Sequence, residues 1–145
     1  MPPRRSVYLI DTDVISEMRK RDKANPGVIV FFKEVASSDA PLYVAAVTIG
    51  ELRRGIELVR HRGDVKQAQT LERWLGRLLD DFADSVLAFD ADMAQVWGRL
   101  RVPHPENPLD KQIAATALIH DLVLVTRNVK HFSETGVKLF NPFAQ

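Results

Sequence analysis

In Val7-Tyr8-Leu9-Ile10-Asp11-Thr12-Asp13-Val14-Ile15-Ser16, four apolar residues stop at a carboxylate and a helix-compatible segment takes over. The apolar run reads as a buried strand. The pattern predicts a helix over 12–20, with Arg19, Lys20, Arg21 and Lys23 crowding its C-terminal end, where positive charge is favourable. The same arrangement recurs downstream. Residues 42–47 read as a second strand, followed by Thr48-Ile49-Gly50-Glu51 and a helix to about residue 62. Residues 86–89 read as a third strand ahead of a helix over 90–102. Residues 122–125 read as a fourth, preceded by a helix over 108–120 and followed by Thr126-Arg127-Asn128. A helical turn over 129–132 and a short strand over 137–140 close the chain. Between these, Asn25-Pro26-Gly27 reads as a turn, 28–36 and 65–81 as helices and 37–41 as a loop. In the 65–81 helix, Leu71, Trp74, Leu75, Leu78, Leu79 and Phe82 follow the spacing of one helical face.

Strands that alternate with helices imply an α/β fold. The expected form is three layers, α/β/α, around a mostly parallel sheet of four to five strands, in one domain spanning 1–145. Such sheets bind ligands outside the carboxyl ends of their strands. Asp11, Thr126 and Asn128 directly follow strands, and Glu51 and Asp110 stand near helix starts. The geometry allows all of them to share one mouth. Carboxylates brought together repel unless a cation stands between them, and hard oxygen ligands suit Mg²⁺ or Mn²⁺.

Composition narrows the field. With 145 residues and no cysteine, the chain needs no disulfide and offers no thiolate zinc site or Cys nucleophile. His61, His104, His120 and His131 lack the close spacing of a transition-metal motif. The longest apolar run in the first half, 28–32, is far short of the roughly 20 residues of a membrane span. Met1-Pro2-Pro3-Arg4-Arg5-Ser6 is basic but is backed by too short an apolar segment for a signal peptide. The expectation is a cytoplasmic protein without membrane attachment. Net charge is +1, so attraction to nucleic acid must be local.

Each acid also has a structural reading. Asp11 or Thr12 suits an N-cap. Thr48 and Glu51 have the spacing of a capping box, and Asn107-Pro108-Leu109-Asp110 repeats the arrangement. Taken singly, each acid reads more readily as a cap than as a ligand. Their neighbours shift the balance. Gly50 inside a helix start costs about 1 kcal/mol relative to Ala, which a close approach there would explain. Ala114, Ala115 and Ala117 keep the following helix slim, which brings Asp110 near the strand ends.

These segments resemble the motifs of PIN-domain ribonucleases. The first is Leu9 to Ser16, the second Thr48-Ile49-Gly50-Glu51-Leu52-Arg53-Arg54-Gly55. The third is Asp110-Lys111-Gln112-Ile113-Ala114-Ala115-Thr116-Ala117, and the fourth Val125-Thr126-Arg127-Asn128-Val129-Lys130-His131-Phe132. Order, spacing and length all fit, and the likeness covers essentially the whole chain. The nearest subgroup is the VapC-like toxins of bacterial toxin–antitoxin pairs, including their FitB-like branch. The resemblance implies Mg²⁺- or Mn²⁺-dependent endonucleolytic cleavage of RNA, leaving 3′-hydroxyl and 5′-phosphate ends. It also implies a homodimer neutralised by a small VapB-like antitoxin. Asp11, Glu51 and Asp110 would be the acidic metal-site residues, completed by Thr126 and Asn128. The chain departs from the four-acid pattern, since position 128 is Asn and a frequent later acid is replaced by His131. Asp13 stands where Asn or Ser is common. It either restores the missing charge or serves only to start the helix.

RNA binding needs cations on the backbone track. Arg53, Arg54 and Arg127 adjoin the motifs and are the expected substrate contacts. The face from Leu71 to Phe82 is a candidate partner groove or simply core. Two other functions remain in view. A non-catalytic RNA- or antitoxin-binding module would also carry these motifs. A haloacid-dehalogenase-like phosphatase would share the Asp11-Thr12-Asp13 opening, but this chain is short and shows no convincing lysine motif or late acidic pair in register.

Overall fold

The central strands have no polar face, so the sheet they build must be covered on both sides. The computed structural model describes residues 6–144; the basic start at 1–5 and residue 145 lie outside the described residues. Five strands, β1 (Tyr8–Ile10), β2 (Leu42–Ala45), β3 (Val86–Leu87), β4 (Val123–Val125) and β5 (Lys138–Phe140), form one sheet ordered β3-β2-β1-β4-β5. Every pairing is parallel. The helices are α1 (Thr12–Met18), α2 (Pro26–Ser38), α3 (Ala46–His61), α4 (Val65–Asp81), α5 (Ala91–Leu100) and α6 (Pro108–His120). The three-layer α/β fold expected from the alternation is the one observed.

The alternation of strand side chains divides the core in two. Tyr8, Ile10, Val44, Val123 and Val125 pack with Val14, Phe31, Leu52 and Leu75 on the face covered by α1 to α4. Leu9, Ala45 and Leu124 pack with Ile113, Ala114, Ala117 and Phe132 on the other face, under α6. The small residues of α6 are fully buried, as a helix lying close on the sheet requires. A fully buried Leu, Ile or Phe contributes roughly 1.5–3 kcal/mol. Most of the α4 stripe goes into the first core: Leu75 and Leu78 are buried, Leu71, Trp74 and Phe82 pack against it, and Leu79 is exposed.

Strand order reverses between β1 and β4, so the chain's natural crevice opens there. The register pairs Ile10 with Val125, which sends Asp11 and Thr126 out of the sheet side by side.

Several expected boundaries and caps differ. The stretch Asn25-Pro26-Gly27 is a helix start rather than a turn. Asn25 caps α2 by accepting from the Gly27 and Val28 N–H groups at 2.9 and 3.3 Å, and Pro26 takes the first turn, where no N–H is needed. The first helix ends at Met18, not Lys20, and Arg21 adopts a positive φ of 53°. The most consequential difference is in α3, which starts at Ala46, with Ala45 at its N-cap and no side-chain cap. Thr48 is therefore buried inside the helix, and Glu51 is its sixth residue; neither belongs to a capping box. Asn107 precedes α6 in the left-handed region and makes no side-chain cap either.

Candidate active site

Asp11 leaves β1 as the N-cap of α1. One oxygen accepts the Thr12 N–H at 2.8 Å, and the other accepts the Thr126 hydroxyl at 2.6 Å. Its backbone N–H continues the sheet to the Val125 carbonyl at 2.9 Å. Thr126 is fully buried, and its hydroxyl oxygen also accepts the Asn128 N–H at 3.0 Å. The exits of β1 and β4 are thus tied through one carboxylate and one hydroxyl. Asp11 is only 4% exposed.

The other acids surround this pair. Asp13, one residue into α1, accepts the Arg127 N–H through Oδ2 at 3.3 Å, while its buried Oδ1 has no hydrogen-bond partner. Glu51 Oε1 accepts the Thr12 hydroxyl at 3.0 Å, which links α3 to the start of α1. Asp110, in the first turn of α6, meets His131 Nδ1 at 2.8 Å.

These carboxylates repel one another. Burial pushes Asp11 up to about 7 from 3.8, opposed by its Thr126 bond and reinforced by the charges of Asp13 and Asp110. Asp13 is also raised, mainly by burial, with Asp110 adding to it. Glu51 is raised by burial, and the charges of Asp110 and Asp13 add to that despite the Thr12 bond. Among the described residues, no three His, Asp or Glu side chains are grouped tightly enough to hold a bare metal ion. The donor set is nonetheless all hard oxygen, mutually repelling, with one buried oxygen left unbonded at Asp13. That set fits a hard divalent cation that keeps part of its water shell. It does not fit a closed protein cage.

The sequence profile of the PIN domain family matches residues 8–138. The chain belongs to the PIN domain family. It is 33% identical to toxin FitB of Neisseria gonorrhoeae, over 94% of this chain and 99% of that protein. It is 30% identical to a VapC ribonuclease of Sinorhizobium fredii, over 94% of this chain and 98% of that one. The solved structure titled FitAcB from Neisseria gonorrhoeae superposes with a TM-score of 0.82 at 32% identity, covering 96% of this chain and all of that one. A second structure, titled FitAB bound to IR36 DNA fragment, superposes at 0.79 with 29% identity, over 94% and 96% of the two chains.

Within this PIN domain the expected basic contacts fare unevenly. Arg53 is turned away from the acids. It pairs with Glu57 at 3.2 Å and Glu72 at 2.7 Å, in an exposed lattice with Arg60 that joins α3 to α4. Arg54 is exposed on α3, beside a shallow groove formed with Leu58 and His61. Arg127 lies closer: its backbone holds Asp13, but its guanidinium covers the Phe143 ring at 3.9 Å. Asn128 is exposed at the strand exit and enters the network through its backbone N–H. Two contacts escaped the sequence reading. The Thr12 hydroxyl on Glu51 gave no separate signal. His131 did give one, because a histidine replaces a frequent acid, and its ring meets Asp110 where that acid would have repelled it.

Proposed function

We propose that this PIN domain is a divalent-metal-dependent endoribonuclease toxin of the VapC/FitB type, acting as a homodimer in the cytoplasm and neutralised by a VapB-like antitoxin. One observation carries the reading. Asp11 is buried and held at the β1–β4 exit by Thr126, and its charge is coupled to Asp13 and Asp110. A structural N-cap needs neither the burial nor the neighbouring acids. The names of its relatives, toxin FitB and VapC ribonuclease, support the same class.

Asp11, Asp13, Asp110 and Glu51 would hold Mg²⁺ or Mn²⁺, directly or through water. Bound there, the cation offsets phosphate charge and lowers the pKa of its water. Asp11 is kept in one orientation by the Thr12 N–H and the Thr126 hydroxyl. Glu51 holds Thr12 with Oε1, leaving Oε2 to accept the proton of the attacking water. The new bond joins water oxygen to phosphorus, and the bond to the 3′-oxygen breaks, leaving a 5′-phosphate and a 3′-hydroxyl protonated by solvent. Asn128, which follows Thr126 at the β4 exit, would hydrogen-bond the scissile phosphate or the cation's water. The phosphatase alternative lacks its further parts in this chain, since no lysine motif or late acidic pair follows Asp11 in register.

Purified protein should cleave single-stranded RNA with Mg²⁺, stop with EDTA and leave ends open to 5′-phosphate-dependent ligation. Cleavage that persists in EDTA, or ends carrying a cyclic phosphate, refutes the mechanism. No cleavage by folded, metal-supplied protein favours the non-catalytic binding module.

A further inference from the structure

A cleft of about 530 Å³ lies beside the acid cluster, walled by the end of α5, the loop leading into α6, Lys111 of α6 and the segment from Lys130 to Thr135. His131 lines it and touches Asp110 at 2.8 Å, so the cleft borders the acids through that pair. Its volume falls in the range of pockets that hold small ligands. Three basic side chains other than histidine line it: Arg99, Lys111 and Lys130. The two acids that line it, Glu106 and Glu134, both turn onto His104, at 3.5 and 3.0 Å. The Glu134 contact braces the loop before α6 against the segment after Phe132, and among the described residues neither acid is paired with Arg99, Lys111 or Lys130.

Lys111 gives the cleft its chemistry. It is only 6% exposed, yet its ammonium is partnered among the described residues by the His104 carbonyl and by no carboxylate. An ammonium carries three donors. A buried charge without a counter-charge is costly, and an anion in the cleft would offset it. The position near the start of α6 adds the positive end of the helix dipole.

We propose that this cleft is a phosphate subsite on the RNA track, seating a backbone phosphate adjacent to the one cleaved. Lys111 is its buried ammonium, and Arg99 and Lys130 are its outer cations. The proposal rests on the ribonuclease reading and assigns the substrate contacts to a face different from that of Arg53 and Arg54.

The test uses the full chain and a fluorescein-labelled single-stranded RNA of about 12 nucleotides, read by anisotropy in EDTA, with cleavage in Mg²⁺ measured in parallel. Lys111→Met keeps the aliphatic stem and removes the charge. It should weaken binding about 5- to 10-fold at about 0.1 M salt and flatten the log–log salt dependence by about 0.7, the loss of one single-strand phosphate contact. Lys130→Gln, at an exposed position, should weaken binding about 2- to 3-fold and covers the case in which Lys111→Met does not fold. Lys66→Gln, the same charge change on α4, should leave binding unchanged. Unaltered affinity and slope in the Lys111 and Lys130 variants, with wild-type cleavage intact, overturn the subsite and leave the nuclease reading standing. A wild type that fails to cleave but binds RNA through Lys111 does the reverse.

Discussion

Asp11→Asn separates a buried site carboxylate from an ordinary helix cap. Asp11 is held near 7, against 3.8 in an unfolded chain, chiefly by burial. Because the folded value is the higher one, the folded protein retains a proton that the unfolded chain has released between the two. Stability from this group is therefore complete below about pH 4 and is lost as pH rises through about 7. From these values the loss between about pH 5 and about pH 8 is on the order of 2–3 kcal/mol. For a chain of this size that corresponds to roughly 5–10 °C in Tm. Asp13 and Glu51 are shifted in the same direction and add to the loss. Asn is neutral throughout and caps about as well as Asp. It keeps an oxygen for the Thr12 N–H but presents a donor to Thr126, at a cost of about 0.5–1.5 kcal/mol.

The assay is a set of thermal melts without divalent ions across that pH range, repeated with Mg²⁺. Wild type should lose Tm toward pH 8, and Asp11→Asn should lose about 5–10 °C less. Mg²⁺ should raise the wild-type Tm at about pH 8, because a cation favours the ionised carboxylate, and should do little for the variant. Parallel curves for the two proteins, with equal Mg²⁺ shifts, would refute the buried-charge reasoning.

Three further substitutions probe other links. Glu51→Gln retains an acceptor for Thr12 and removes no cap, so its melt should stay within a few degrees of wild type or rise, while RNA cleavage falls at least about 100-fold; retained cleavage would remove Glu51 from the mechanism. Thr126→Val deletes the hydroxyl that serves both Asp11 and the Asn128 N–H, and urea unfolding should show a loss of about 1–3 kcal/mol. An unchanged midpoint would mean that the strand exits are not joined there. Gly27→Ala drives a Cβ into the Pro142 carbonyl oxygen, so α2 or the C-terminal turn Pro142–Ala144 must shift; denaturation should register about 1–3 kcal/mol, and no loss would contradict the close approach.

The sheet was legible because its strands are short apolar runs ending at polar residues, and Tyr8-Leu9-Ile10 and Val123-Leu124-Val125 form strands as expected. Helix starts were less legible. Ala45 carries no capping side chain, so the start of α3 gives no local signal, and the Thr48–Glu51 spacing offered a false one. The reverse occurred at Asn25-Pro26-Gly27, where residues typical of turns form a capped helix start. Candidate site residues at strand exits, Asp11 and Thr126, could be placed from chain order alone. Arg53 could not, because its direction depends on α4 packing beside α3 and offering Glu72. Lys111 was invisible for a similar reason. Its burial comes from the loop before α6, whose course no periodicity reveals.

The early start of α3 changes what Glu51 can do. At N3 of a capping box its carboxylate would turn back to the backbone and be consumed locally. As the sixth residue of a helix that begins at Ala46, it has no orphan N–H to satisfy. It instead reaches the Thr12 hydroxyl on a neighbouring helix. Asp110 is freed in the same way, since Asn107 makes no side-chain cap and Asp110 turns to His131. Asp11 alone keeps a capping bond, and it uses only one oxygen for it. Of the three acids that could have been structural caps, two do no capping and the third is buried beyond what a cap requires. Local helix chemistry therefore leaves most of this negative charge uncompensated. What remains is a cluster that folds against its own repulsion, the arrangement expected of a cation site and not of three helix ends.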